Sequence, residues 1–248
     1  MLDILNQHRT IRKYTEQKID SELLTNLLET ACKASNTGNM QAYSIIVTTD
    51  NDLKKQLSPS HFNQPMIIQA PVVLTFCADF NRFTKWCELR QAKPGYDNFQ
   101  SFMATAIDAL IAAQTFCIAA ESVGLGICYL GTTTYLAAKI IDILKLPKGV
   151  VPVTTLTIGW PDENPEQVDR LPLEAIVHEG FYRDYTDDKI NAVYREKENR
   201  ADSRQFVKEN DKETLAQVFT DIRYNKSDNV VFSNMLLGVL KEQGFMNQ

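Results

Sequence analysis

Residues 98–131 read NFQSFMATAIDALIAAQTFCIAAESVGLGICYLG. Met103, Ala106, Ile107, Leu110, Ala113, Phe116, Cys117 and Ala120 recur at helical spacing, which predicts one long helix over 98–123. Small and apolar residues almost encircle it, so it belongs in a core or between two copies of the chain. Gly124-Leu125-Gly126 ends the helix, Ile127–Leu130 reads as a short strand, and Gly131-Thr132-Thr133 as a tight turn. The least polar run, 109–138, is interrupted by Glu121, Gly124, Gly126 and Gly131. Neither half supplies the ~20 apolar residues of a membrane span.

Upstream, VVLTFCA at 72–78 is a buried strand and Tyr43–Thr49 a second one. Leu23, Leu24, Leu27, Leu28 and Ala31 predict a helix over 21–34 with Ser21 as its cap. Asn51–Leu57 reads as a short helix, 59–69 as irregular, and 79–96 as an aromatic excursion over the surface. Downstream come a helix near 135–145 and a strand over Val151–Ile158. Beyond Pro172 the character changes: residues 187–226 carry 18 charged side chains and few aliphatics. A last helix near 228–242 presents Val230, Val231, Met235, Leu236, Val239 and Leu240 on one stripe, which must dock on something. A second copy of the chain is the candidate.

The 248 residues could form one large domain or two small ones. A net charge of -5 gives no electrostatic footprint for nucleic acid. Five cysteines without a C-x-x-C pair, three of them (Cys77, Cys117, Cys128) in apolar runs, indicate buried thiols in a reducing compartment, hence the cytoplasm. The N-terminus, with Asp3 and no apolar run, does not read as a secretory signal. His8, His61 and His178 are the only imidazoles, and no spacing reads as a metal site. Cys77 or Cys32 with His61 would be a hydrolase pair in principle, but an apolar strand keeps a thiol inert.

Against this acidic background, His8-Arg9-Thr10-Ile11-Arg12-Lys13-Tyr14 is strongly basic. In an extended segment His8, Thr10 and Arg12 share one face, a set suited to a phosphate or a planar carbonyl-bearing ring.

HRTIRKY at 8–14, ASNTGNMQAYSIIVTTD at 34–50, CADFNR at 77–82, AAESVGLGICYLG at 119–131, GWPDENPEQVDRLP at 159–172 and VHEGFY at 177–182 together resemble the nitroreductase superfamily. The likeness is to the branch of oxygen-insensitive NADPH nitroreductases and FRP-type flavin reductases. It implies an α+β fold, with a mainly antiparallel sheet flanked by helices. It also implies an intertwined homodimer, with 1–186 as the FMN-binding domain and 187–248 as an arm and helix packing on the partner subunit. Helix 98–123 would lie in the dimer interface.

For the site, the resemblance implies FMN contacts from His8, Arg9, Thr10 and Arg12, with Arg12 beside the flavin's pyrimidine side and His8 and Arg9 toward the phosphate. Ser35, Asn36 and Thr37 would reach the ring from the other subunit. Gln64 would bond its pyrimidine edge. Tyr129, Leu130, Gly131 and Thr132 would form the turn whose amide meets N5, where the missing Cβ of Gly131 admits a ring. Arg170 would clamp the phosphate. Asn36, Gly38, Thr132 and Val168 depart from the pattern, and Val168 replaces a usual lysine, leaving the phosphate to Arg170, His8, Arg9 or a neighbour such as Lys148. Among Arg195, Lys197, Arg200, Arg204 and Lys208, Arg200 and Arg204 are the candidates for the NADPH phosphate, and a cationic arm fits NADPH better than NADH. The implied activity is ping-pong, two-electron reduction of nitroaromatics or quinones at a cofactor-borne centre, with no catalytic side chain. The alternatives are a flavin reductase releasing reduced FMN and a flavin-binding protein of low turnover.

Overall fold

The structure, a computed structural model, describes residues 2–247. Its sheet has four antiparallel strands in the order β1-β2-β4-β3: β1 (Tyr43–Thr48), β2 (Val72–Asp79), β3 (Gly126–Leu130) and β4 (Val150–Gly159). The helices are α1 (Ser21–Ala31), α2 (Asn51–Leu57), α3 (Asn81–Leu89), α4 (Phe99–Ser122), α5 (Ala137–Leu144), α6 (Asp187–Asn199), α7 (Ala201–Glu209) and α8 (Lys226–Gln243), with shorter helical turns between them.

β2 is buried along its whole length, which is why it reads as a continuous apolar run rather than an alternating one: helices cover both faces of the sheet. On one face α4 lays Ala109, Ala112, Ala113, Phe116, Cys117 and Ala120 over Leu74, Phe76, Leu156 and Ile158. The alanines allow a close approach, and the rings of Phe116 and Phe76 meet edge-on at 6.5 Å. On the other face Val73, Cys128 and Leu130 pack with Leu57 of α2 and Ile140 of α5. Pro152 sits in the central strand β4 opposite Cys77, at the register shift that spares the ladder its missing donor. α4 is long and apolar enough to cross a membrane, but half of its most apolar stretch is buried in this core. Its other side is bare: Phe99, Met103, Ile107, Leu110 and Ile111 are all exposed.

Three local expectations change. Asp20, not Ser21, caps α1, its carboxylate accepting from the amides of Glu22 and Leu23; a cap needs a non-helical backbone, and Ser21 has already entered the helix. The segment 79–96 is no loose excursion. It carries α3, and Phe80 stacks on Tyr96 with centroids 4.5 Å apart. Within 59–69, two single helical turns form, at Ser58–His61 and Met66–Gln69.

The chain forms two compact units: one runs to Glu166 and resumes at Phe232, the other is Gln167–Val231. The end of α8 completes the first unit's core. Val239, Leu240 and Phe245 are buried there with Phe102 and Val151, while Val230, Val231 and Met235 stay exposed. In the second unit Val193, Leu215 and Val218 are buried despite the charged composition, Lys212 pairs with Asp221 at 3.0 Å, and the Arg223 guanidinium lies over the Phe206 ring at 4.1 Å.

Candidate active site

The basic segment at 8–14 is held by a notch in the sheet edge. Gly126 of β3 and Gly159 of β4 face each other in the ladder. A Cβ on Gly126 would stand 2.7 Å from the Ile11 side chain, and one on Gly159 would stand 2.8 Å from the Tyr14 ring. Both distances are well inside contact, so only glycine lets the segment lie flat there. Thr10 bridges to Ile127, and Tyr14 bridges to Pro161. The buried Tyr14 hydroxyl donates to the Ile11 carbonyl at 2.7 Å and lies 2.8 Å from the Thr157 hydroxyl. Burial pushes that phenol's pKa far up.

Anchoring Ile11 and Tyr14 inward leaves the cations between and before them outward. His8 Nδ1 lies 2.6 Å from a carboxylate oxygen of Glu121, at the end of α4. Arg9 donates to the Gln7 carbonyl at 3.0 Å, and its buried Nε has no partner among the described residues. Arg12 and Lys13 give their backbone amides to Glu163 at 2.5 and 3.1 Å. The Arg12 guanidinium is exposed and makes no ion pair among the described residues; it opposes the upward push of burial on the Cys128 thiol in β3. A cavity of about 250 Å³ opens beside His8, Arg9, Glu121 and Gly126.

β3 leads through Tyr129 and Leu130 into the turn Gly131–Thr134. A Cβ on Gly131 would meet nothing within 4 Å, so its backbone faces open space. The turn is held from below by His61, a residue the sequence reading set aside. Its Nδ1 is 3.0 Å from the Thr132 hydroxyl, its Nε2 is buried without a partner among the described residues, and burial lowers its pKa to about 4. The imidazole is neutral. Gln64, three residues on, is half-buried. The thiol of Cys77, wholly enclosed in β2, has its pKa pushed far up by burial and meets no imidazole.

The other candidates lie elsewhere. In the loop after α1, the amide and hydroxyl of Thr37 both donate to the buried carboxylate of Asp108, at 2.9–3.0 Å. Asp108 and Glu121 are 13 positions apart on α4, so the Thr37 loop and His8 sit about 20 Å apart along that helix. Ser35 and Asn36 belong to the same loop. Lys148 lies two residues before β4, at the end opposite Gly159, and donates to the Glu242 carbonyl at 2.6 Å. In the second unit Val168 is exposed, Arg170 donates to the Val168 and Asp169 carbonyls, and Lys197 is neutralised by Asp169 at 2.8 Å. Arg200 pairs with Asp202 at 2.9 Å, and Arg204 donates to Asn199.

The sequence and the fold both recur in known proteins. The chain is similar to a Bacteroides fragilis NCTC 9343 protein described as an oxidoreductase, at 57% identity over 99% of this chain and all of that one, with a TM-score of 0.98. It is 37% identical to the "FMN reductase (NADPH)" of Bacillus subtilis (strain 168), over 79% of this chain and 83% of the relative. It is 34% identical to the "oxygen-insensitive NADPH nitroreductase" of Salmonella typhimurium, over 79% of each. The profile of the nitroreductase family matches residues 5–160, from the basic segment to the end of β4. On sequence and fold, the chain belongs to the nitroreductase family and is an oxidoreductase.

Proposed function

We propose that the chain is an FMN-dependent NAD(P)H oxidoreductase that reduces nitroaromatics and quinones by two electrons in a ping-pong cycle. The observation that carries this reading is the basic segment pinned at the Gly126–Gly159 notch, with Arg12 uncompensated and the Nε of Arg9 buried without a partner. An orphaned buried donor is costly unless a ligand completes it, and an anionic mononucleotide with a planar, carbonyl-bearing ring supplies the missing acceptors. The open space before Gly131 and the half-buried Gln64 fit the same group.

When bound, FMN supplies the hydride and electron transfer. The protein's share is placement and charge. His8, Arg9 and Thr10 bind the phosphate side. Arg12 holds a fixed positive charge beside the ring, favouring the anionic reduced form. Gly131, flanked by Tyr129, Leu130 and Thr132, offers a backbone N–H in a turn made rigid by His61. Ser35, Asn36 and Thr37, about 20 Å from His8 along α4, reach a ring at that site only from a second copy. The exposed face Phe99–Ile111 of α4 supplies the apolar surface for a homodimer. The exposed cations of the charged arm, Arg195, Arg204 and Lys208, with Arg200, are its NADPH-phosphate candidates. Five free thiols fit a cytoplasmic setting.

Val168 favours a second reading. A neutral, exposed residue where the family resemblance implies a lysine loosens the phosphate, which suits a reductase that releases reduced FMN to a partner enzyme. The test is the visible spectrum of the purified protein, followed by NADPH oxidation with menadione, nitrofurazone or free FMN as acceptor. Arg12→Leu should lower bound flavin and slow reduction by NADPH at least tenfold. A colourless protein that takes up no added FMN, or a variant with unchanged flavin and rate, overturns the reading. Turnover with free FMN alone selects the flavin-reductase form.

A further inference from the structure

Three aromatic rings gather beside the Gly131 turn. Tyr135, which closes the turn, stacks on Phe232 of α8 with centroids 4.4 Å apart and planes 9° apart. Phe62 meets this pair edge-on, 6.1 Å from Phe232 and 6.3 Å from Tyr135. The stacked pair links α8 to the turn.

Phe62 is the unexplained member. The residue is 50% exposed, and its backbone is left-handed, with φ 53°, followed by Asn63 at φ 55°. Glycine or asparagine adopts that conformation at less cost, and a bulky aromatic there is an outlier. A ring that served only packing would be buried, and a turn that served only connection would not carry phenylalanine. Strain of this kind persists where the surroundings enforce it, and it concentrates at ligand sites. The surroundings here are specific. Phe62 directly follows His61, which is bonded to Thr132, and stands two residues before Gln64, so its position is coupled to the turn that bears the open Gly131 face.

We propose that Phe62, backed by the Tyr135–Phe232 stack, is the specificity-determining wall of the acceptor pocket, against which planar quinones and nitroaromatics lie. The inference deepens the oxidoreductase reading and rests on it. A rigid aromatic edge rewards flat π-systems and gives nothing to compact inorganic oxidants.

The experiment compares menadione with ferricyanide as acceptors for the flavin-loaded enzyme, in the wild type and in Phe62→Ala, Phe62→Leu and Phe62→Tyr. Phe62→Leu keeps apolar bulk if the alanine variant folds poorly. The ratio of the KM for menadione to that for ferricyanide should rise roughly tenfold in Phe62→Ala and Phe62→Leu, and return to near the wild-type value in Phe62→Tyr, with flavin per chain retained. An unchanged ratio in all three flavin-loaded variants overturns the wall and leaves the oxidoreductase reading standing. A wild-type protein without flavin or NAD(P)H-dependent turnover overturns both.

Discussion

The residue that best shows how chemistry is hidden in this chain is His61. It is fully buried and bonded to Thr132, and burial lowers its pKa to about 4 from an ordinary 6.5. Between those values the unfolded chain binds a proton that the folded protein refuses, so His61 favours folding above pH 6.5 and that contribution disappears as pH falls toward 4. Urea titrations should therefore show stability falling by roughly 2 kcal/mol between pH 7 and pH 5 from this residue alone. His61→Gln, which carries no titrating proton, should flatten that part of the profile; a profile as steep as the wild type's would show that other groups carry it. In sequence His61 is one imidazole in a polar loop. Its partner is 71 positions away.

At the scale of elements, the Gly126–Gly159 notch and the Gly131 turn make opposite demands on glycine. Gly126→Ala drives a Cβ to 2.7 Å from Ile11, and either the basic segment or β3 must shift. Overpacking of this kind costs about 1–3 kcal/mol, so the variant should melt earlier and hold less flavin. Gly131→Ala adds a methyl into open space, and its stability should stay within about 0.5 kcal/mol of wild type. The methyl occupies the volume before the turn, so flavin binding or reduction by NADPH should suffer instead. Calorimetry and the flavin spectrum of the two variants separate the effects. A stable Gly126→Ala protein with full flavin would mean that the segment does not need the notch. The glycines themselves are visible in the sequence, but that 126 and 159 are paired depends on the β3–β4 register.

For the whole molecule, α4 has two faces with different fates. Ala109, Ala112, Ala113 and Phe116 close the core, and Phe99, Met103, Ile107, Leu110 and Ile111 are left bare on the same helix. An uninterrupted apolar stripe of that length in a chain of net charge -5 needs a cover. Ile107→Asp should turn a dimeric particle into a monomer by light scattering, and should lose flavin at the same time, because the Thr37 loop would then have no second site to complete. A monomeric wild type, or a monomeric variant with full flavin, would refute the two-chain site.

What the sequence alone determined is local. The small-residue helix at 98–123, the buried strand at 72–78, the glycine-flanked strand at 127–130 and the basic motif at 8–14 follow from periodicity and side-chain size, and the ordered motifs identified the family. What only the tertiary structure decided is which distant residues meet: His8 with Glu121, Thr37 with Asp108, His61 with Thr132, and Phe62 with Tyr135 and Phe232. The end of α8 likewise shows its fate only when Val239 and Leu240 are seen closing their own chain's core. Periodicity records which side of an element is apolar. It carries no information about the element on the other side, because contacts between chain segments dozens of residues apart are set by packing and strand register together.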